Sequence, residues 1–371
     1  MHRIFFIVTC LLFFFVSLSA TALITIFAEF TLFFWIISKN FLKPFWKEKW
    51  FIPLLWLILI HWIGLLYTPD ITLGLKLVRK THYWVLSFAI MSLSFYYFNP
   101  ENFVKAYLAG LTAGSLYFVL VPNTINKLKS PFHITFSLQL VLGMLLLSFY
   151  FLKVKKWYYK IGFFILFLIF GYVLTISEGR TGYVAFILTL PIIFYNLFPK
   201  NYLKVIFVCF LSVILFLNLN PVKRRIHQAI YDLKKFQKDH YYSPVGLRLY
   251  MWKTTIKIFK EHPLLGGGTG CFPKYAEKFK PKKILPNFSQ PHNSYLYLLG
   301  SFGILGLIPF LWLLYLMFKT GIKHYHNPIG FFIFAFTLVF SIGSLGDSQI
   351  ISHATCILFG LTVGLQSFLK E

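Results

Sequence analysis

Residues 294–318 read SYLYLLGSFGILGLIPFLWLLYLMF, a run without one charged side chain. At about 1.5 Å of rise per residue, a helix of that length exceeds the roughly 30 Å hydrocarbon layer of a bilayer. The rest of the chain repeats the pattern. Further apolar runs fall near residues 4–18, 20–38, 51–67, 82–98, 103–121, 132–151, 161–176, 181–198, 203–219, 329–346 and 350–369. Across 371 residues the sequence is 58% hydrophobic and only 13% charged, and its mean hydropathy is +0.70. These runs are solidly apolar rather than alternating, which favours helices over the strands of a closed barrel. The expected fold is all-α: a polytopic membrane bundle of about twelve transmembrane helices. Residues 1–219 hold about nine of them and 291–371 about three, with one long polar loop, 220–290, between.

Lysine and arginine in the short connections set the orientation. With the N-terminus in the cytoplasm, that side receives fourteen of them, including Lys39, Lys43, Lys47, Lys49, Lys153, Lys200, Lys319, Lys323 and Lys370. The other side receives six: Lys76, Arg79, Lys80, Lys127, Lys129 and Arg180. Both termini are therefore expected in the cytoplasm and the long loop outside it. A cleaved signal peptide is the alternative for the N-terminus, since MHRIFF, an apolar stretch and Ser17, Ser19 and Ala20 suit signal peptidase. Cleavage would leave the order of the later spans unchanged.

Cys10, Cys209 and Cys356 lie in predicted spans and Cys271 stands alone in the loop, so no disulfide framework or Cys/His metal cluster is expected, nor any cofactor. The loop holds fifteen Lys and Arg against four acids, a local charge of +11. That surface suits anionic headgroups or phosphorylated substrates. Nucleic acid is not an expected partner, because the loop leaves the cytoplasm and carries no nucleic-acid-binding motif.

Within the loop, Ile226, Ile230, Leu233 and Phe236 recur at near-helical spacing, as in a helix lying on the membrane or on the bundle. A second helix is predicted from Pro244 to about Glu261, placing Arg248, Trp252 and Thr255 on one face. That Arg/Trp pair is either an interfacial anchor or part of a site. The run LLGGGTGCF (264–272) lacks a preceding strand and a following Gly-Lys-Ser/Thr, so it reads as a flexible turn bringing backbone close to a helix or ligand, not as a nucleotide loop. Next, PHNSYL (291–296) opens a span in which Asn293 or Ser294 caps the first turn. The positive end of that helix dipole disfavours protonated His292 and leaves a ring able to accept a proton. In SEGRTGYVAF (177–186) Arg180 sits at the rim of the hydrocarbon, either paired locally with Glu178 or awaiting an anionic ligand. Asp347, in GSLGDSQ, either orients a base or sits at a turn in water.

Four features occur in order: Arg180 after a Ser-Glu-Gly turn, Arg248-x-x-x-Trp252, the Pro263 to Gly268 turn with Gly270 and Phe272, and His292-Asn293-x-Tyr295-Leu296. Together, over about residues 170–300, they resemble the O-antigen ligase/polymerase family of bacterial inner-membrane glycosyltransferases. The GGGTG run departs from that family's alternating glycines. The resemblance implies a glycan donor linked through diphosphate to undecaprenol, used at the periplasmic face. A ligase passes the glycan to a hydroxyl of the lipid A core, a polymerase to another lipid-linked repeat, and neither would need a metal.

The residue chemistry agrees with that implication. A departing diphosphate needs permanently charged bidentate donors, a role for Arg180 and Arg248. The acceptor hydroxyl needs a base, a role for His292. Arg180, Arg248, Trp252, Lys253, Asn293 and Asp347 make the expected substrate-binding set, with membrane lipids as further partners. Ligase is preferred to polymerase on chain length, on the single late loop and on its charge. A transporter for an anionic lipid is the reading from another class. It would need inverted repeats and mid-membrane charge, yet no clear repeat is visible and Glu29 is nearly alone within the spans.

Overall fold

Lipid offers the backbone no hydrogen-bond partners, so an apolar chain satisfies its own amides by forming helices. The computed structural model describes residues 1–121, 133–198, 201–236, 243–279 and 288–369, with the backbone alone at Phe41, His133, Lys235 and Phe236. Lys127, Lys129, Lys200, Lys238, Asp239, Lys280, Lys282, Lys283, Lys370 and Glu371 lie outside the described residues. Among the described residues the regular secondary structure is all helical, without a strand.

The helices are α1 (His2–Leu18), α2 (Thr21–Ile37), α3 (Phe51–Ile63), α4 (Ile71–Thr81), α5 (Leu86–Leu93), α6 (Glu101–Leu120), α7 (His133–Lys153) and α8 (Trp157–Ser177). They continue with α9 (Arg180–Leu197), α10 (Tyr202–Asn218), α11 (Asn220–Phe236), α12 (Pro244–Glu261), α13 (Phe272–Lys278), α14 (Ser294–Lys323), α15 (Pro328–Gly346) and α16 (His353–Leu365). Six of them, α6, α7, α8, α9, α14 and α15, are long and apolar enough to cross a membrane. A seventh crossing results if α10 and α11, bent by 77°, count as one span. The apolar helices α1, α2, α3 and α16 are shorter, at 13 to 17 residues. α7, α15 and α16 are buried along most of their length and form the centre. α1 packs on α6, α9 on α7, α14 on both α15 and α3, and α16 on α5.

The run 82–98 is not a single span. Helical structure begins earlier, at Ile71, where the Asp70 carboxylate accepts the Leu73 amide at 3.0 Å. It tightens to a 3₁₀ turn at His82–Val85 and ends at Leu93. Lys76, Arg79 and Lys80 therefore sit on α4 rather than in an outer loop. Every residue of α5 is buried, and a solid apolar run cannot by itself tell protein core from lipid contact.

α14 breaks at Gly303, whose φ of +60° and ψ of −153° are not helical. A break frees amides and carbonyls that apolar surroundings cannot solvate. The glycine run supplies the missing partners. Gly267 and Gly268 amides donate to the Gly300 and Ser301 carbonyls at 2.9 Å each, while Ile304 and Leu305 donate to the Pro263 and Leu264 carbonyls at 3.0 and 3.3 Å. On its other side the Thr269 amide donates to the Gly64 carbonyl at 3.0 Å, and the Thr269 hydroxyl to the His61 carbonyl at 2.6 Å. The run is therefore buried and pinned between α3 and α14, not the flexible turn expected. The neighbouring Cys271 is buried too, which pushes its thiol up to about 12.

Gly266, with φ of +65°, has the Ser301–Phe302 backbone where a Cβ would stand. Gly266→Ala should cost more than about 2 kcal/mol, a left-handed penalty with a backbone clash added, and lower the melting midpoint of the detergent-purified protein. Gly162→Ala is the internal control: a Cβ there meets nothing within 4 Å, and the midpoint should hold or rise slightly.

Candidate active site

Four chain segments meet at one end of the bundle, each held by local structure. The first is the turn between α8 and α9. Glu178 closes α8 in the left-handed conformation, φ +55°, and Gly179 leads directly into Arg180. The neighbouring Thr181 packs on Gly346, where an added Cβ would lie 2.6 Å from the Thr181 hydroxyl. This contact sets the start of α9 against the end of α15, one residue before Asp347.

The second segment is α12, begun by the Ser243 cap on the Gly246 amide at 3.0 Å and by Pro244 in the first turn. Its Arg248, Trp252 and Thr255 share a face, as their spacing predicts. Thr255 is buried against Gly300 of α14, with its Cγ2 2.8 Å from the position of a Cβ on that glycine. The Trp252 indole N–H donates to the Pro291 carbonyl at 3.1 Å. Trp252 thus grips the residue before His292, which a purely lipid-facing anchor would not do. Lys253 is exposed and, one residue on, lies about 100° round the helix from Trp252.

The third and fourth segments are stitched together. Asn293 caps α14, its side-chain oxygen accepting the Leu296 amide at 3.0 Å. Its Nδ2 donates to the Leu345 carbonyl at 3.0 Å and its backbone amide to the Ser348 hydroxyl at 3.1 Å. The Ile350 amide donates to the Ser294 hydroxyl at 3.3 Å. Held this way, His292 adopts φ +50°, a left-handed conformation that histidine tolerates better than most residues but that still costs about 1–3 kcal/mol. The turn aims His292 Nδ1 at Asp347 Oδ1, 2.7 Å away. Asp347 is the more enclosed partner, its side chain 14% exposed against 38% for His292. Gln349 donates to the other carboxylate oxygen at 3.4 Å. With Nδ1 donating to a carboxylate, the neutral ring carries its lone pair on Nε2.

Arg248 borders this pair, and Arg180 borders Arg248. Arg248 lies within charge interaction of Asp347, which opposes the effect of burial in pulling the guanidinium below its ordinary value. Among the described residues none forms a hydrogen bond or ion pair with Arg248. Arg180 lies within charge interaction of Arg225 and Arg248 and meets Asp232 of α11 at 3.7 Å. Glu178, the alternative partner for Arg180 on sequence grounds, is taken by Arg224 and by Arg225, the latter at 2.8 Å.

The structure thus brings Arg180, Arg248, Trp252, His292, Asn293 and Asp347 together and adds Glu178, Arg224, Arg225, Asp232 and Ser348. Sequence reasoning missed Asp232 as a site residue, although Arg225 and Asp232 share a helix face at i, i+7. That face turns inward: Asp232 is buried while Ile226, Ile230 and Leu233 are 37%, 45% and 46% exposed. α11 therefore packs on the bundle through the face that carries Arg225 and Asp232 and turns its apolar stripe away from the protein, as a helix at a membrane surface would. Chemically the assembly joins a carboxylate-paired imidazole, able to take a proton on Nε2, to a cluster of guanidiniums not fully matched by acids among the described residues. Among the described residues no group of three or more His, Cys, Asp or Glu is placed to hold a metal ion.

No curated protein matches the chain. A family model described as O-antigen ligase matches residues 164–311, from within α8 to within α14. The matched segment contains Arg180, Arg248, Trp252 and His292, while Asp347 lies beyond it and is joined to the site by the fold. The match agrees with the ordered motifs and supports the O-antigen ligase/polymerase family for residues 164–311.

Proposed function

We propose that this protein is an O-antigen ligase, transferring a glycan from undecaprenyl diphosphate to a hydroxyl of the lipid A core. The observation that carries the reading is the His292–Asp347 pair at 2.7 Å beside Arg248, a partly buried guanidinium that feels Asp347 but forms no ion pair or hydrogen bond among the described residues. A guanidinium held in partly desolvated surroundings calls for an anion, and a diphosphate is the anion this donor provides.

In the proposed reaction His292 Nε2 removes the proton of the acceptor hydroxyl. The freed oxygen attacks the anomeric carbon from the face opposite the diphosphate, and the carbon–oxygen bond to the diphosphate breaks. The new glycosidic bond has inverted configuration, and undecaprenyl diphosphate departs with the bonding electrons. Arg180 and Arg248 stabilise the charge that grows on the leaving group. Asp347 fixes the tautomer of His292 and offsets the positive charge the ring gains. Trp252 and Asn293 hold the His292 turn in register, and no metal ion or cofactor takes part. Lys253 would contact substrate phosphates from the edge of the site.

The same reading has the site facing the periplasm of the inner membrane, with both termini cytoplasmic. Supporting this, α14 runs from the His292 end to Lys319 and Lys323, and Lys47, Lys49 and Lys153 lie at that same far end. α1, α2, α3 and α16, with the continuous α4–α5 stretch and α10, would complete about twelve crossings around the six longer ones. Residues 220–290 would then form the periplasmic portion between two membrane regions, 1–219 and 291–371. The clustering of the charged residues at one end, rather than at mid-membrane, favours transfer over transport. A polymerase, using a second lipid-linked repeat as acceptor, is the alternative that the same chemistry allows.

His292→Ala should reduce glycan transfer in isolated membranes on the order of 10²–10⁴-fold, and Asp347→Asn, which leaves the ring but not its carboxylate, on the order of 10²-fold or more. Wild-type rates in either variant would remove that residue from the mechanism. Arg248→Lys should be intermediate between wild type and Arg248→Ala, because it keeps a charge but loses the bidentate fork; equal rates for Lys and Arg would argue against diphosphate contact. Ligase and polymerase separate on lipopolysaccharide gels of cells lacking their own ligase. The ligase should restore glycan on lipid A and its His292→Ala form should not, whereas unattached, normally polymerised glycan in both would exclude it.

A further inference from the structure

At the end of α14 remote from His292, chain segments nearly 270 residues apart enclose a second, strongly basic cavity of about 450 Å³. Lys319 and Lys323 come from the last turns of α14, and His324 follows them. Lys47 and Lys49 come from the connection into α3, and Trp50 lies beside them. One acid, Glu48, accompanies the four lysines in the lining. Two lysines at a helix C-terminus are favoured by the helix dipole. Glu48 offsets one of these charges, but four ammoniums drawn from two chain segments exceed it, and like charges gathered in one cavity repel unless a further anion lies near them.

The floor of the cavity is built rather than incidental. The buried Trp50 indole donates to the Ser367 hydroxyl at 3.3 Å, and the Thr320 hydroxyl donates to the Gln366 side-chain oxygen at 3.3 Å. These bonds fix the connection into α3 and the end of α14 against the 3₁₀ turn at Gln366–Phe368. The surroundings are amphiphilic. The same turns of α14 expose Tyr315, Phe318 and Ile322, and the connection before α3 exposes Trp46. Aromatic side chains beside lysines are the composition of a membrane–water interface, and basic pockets between helices at that level suit lipid phosphates.

We infer that this cavity binds the phosphate headgroup of an anionic phospholipid, whose acyl chains run along the exposed apolar turns of α14. A free phosphate ion would satisfy the lysines but leave the adjoining apolar surface unused. The site is independent of His292 and of which glycan acceptor the protein uses.

The test uses the full-length protein in detergent, with lipid binding measured by native mass spectrometry and by the shift in melting midpoint. The probes are phosphatidylglycerol, phosphatidylcholine with the same acyl chains, and inorganic phosphate. Phosphatidylglycerol should bind and stabilise the wild-type protein at lower concentration than phosphatidylcholine, with inorganic phosphate reproducing neither effect. Lys319→Gln/Lys323→Gln should weaken phosphatidylglycerol binding at least tenfold, from roughly fivefold per lysine near a surface, and leave phosphatidylcholine unchanged. Lys47→Gln/Lys49→Gln, from the opposite wall, should do the same. The charge-matched control is Lys155→Gln/Lys156→Gln, in the connection after α7, which reaches this end of the bundle where Lys153 donates to the His326 carbonyl at 2.7 Å; it should retain binding. Equal losses in the control, unchanged binding in both cavity variants, or full stabilisation by inorganic phosphate would each overturn the assignment. His292→Ala should bind phosphatidylglycerol as wild type does, which separates a failure of this site from a failure of the transfer reading.

Discussion

An interrupted helix inside an apolar bundle is tolerable only if something else satisfies its backbone, and the break at Gly303 imposes that condition on much of this structure. The plug is the segment 263–268, which exchanges four backbone hydrogen bonds with Gly300, Ser301, Ile304 and Leu305. Because the plug directly follows α12, seating it also seats Arg248 and Trp252 over the first turns of α14. Because those turns begin at Asn293, the same fit fixes His292. The glycines thus perform a structural task whose consequence is the placement of charged side chains several residues away.

Charge is distributed on a second principle. Carboxylates near the site are committed: Glu178 to Arg224 and Arg225, Asp232 to Arg180, and Asp347 to His292. Arg248 is left without a described partner, and Arg180 has only a long contact with Asp232. Positive charge therefore remains available where the imidazole is presented, and α11 contributes to that balance from a helix whose apolar stripe points away from the protein. The 77° bend between α10 and α11 lets one chain segment pass from an apolar helix to one that returns a polar face to the site.

Much of this arrangement is legible in the amino-acid sequence. The apolar runs specify helices, and each coincides with at least one helix in the described fold. Pro244 and the stop at His262–Pro263 delimit α12 within a residue, and the i, i+4, i+7 spacing puts Arg248, Trp252 and Thr255 on one face. His292 is marked by its place ahead of an Asn cap. Less legible is whether an apolar run meets lipid or protein: α5, whose residues read as part of a span, is a short and fully buried helix. Hydropathy measures transfer out of water and is blind to what replaces the water.

The sequence by itself determined the elements, because helix formation in apolar chains depends on local composition, and it determined the candidate chemistry, because Arg, His and Asp have few equivalents for binding phosphate or moving a proton. Only the tertiary structure decided the partnerships. Asp347 lies 55 positions from His292 and Asp232 52 positions from Arg180, and no local propensity encodes such pairings. They follow from how α9, α11, α14 and α15 pack, with Thr181 against Gly346, Asp232 of α11 turned toward Arg180 and the Asn293 turn bonded to Ser348. The glycine run shows the same division: its composition announced a close backbone approach, but the partner it approaches exists only once α14 has broken and α3 has packed beside it.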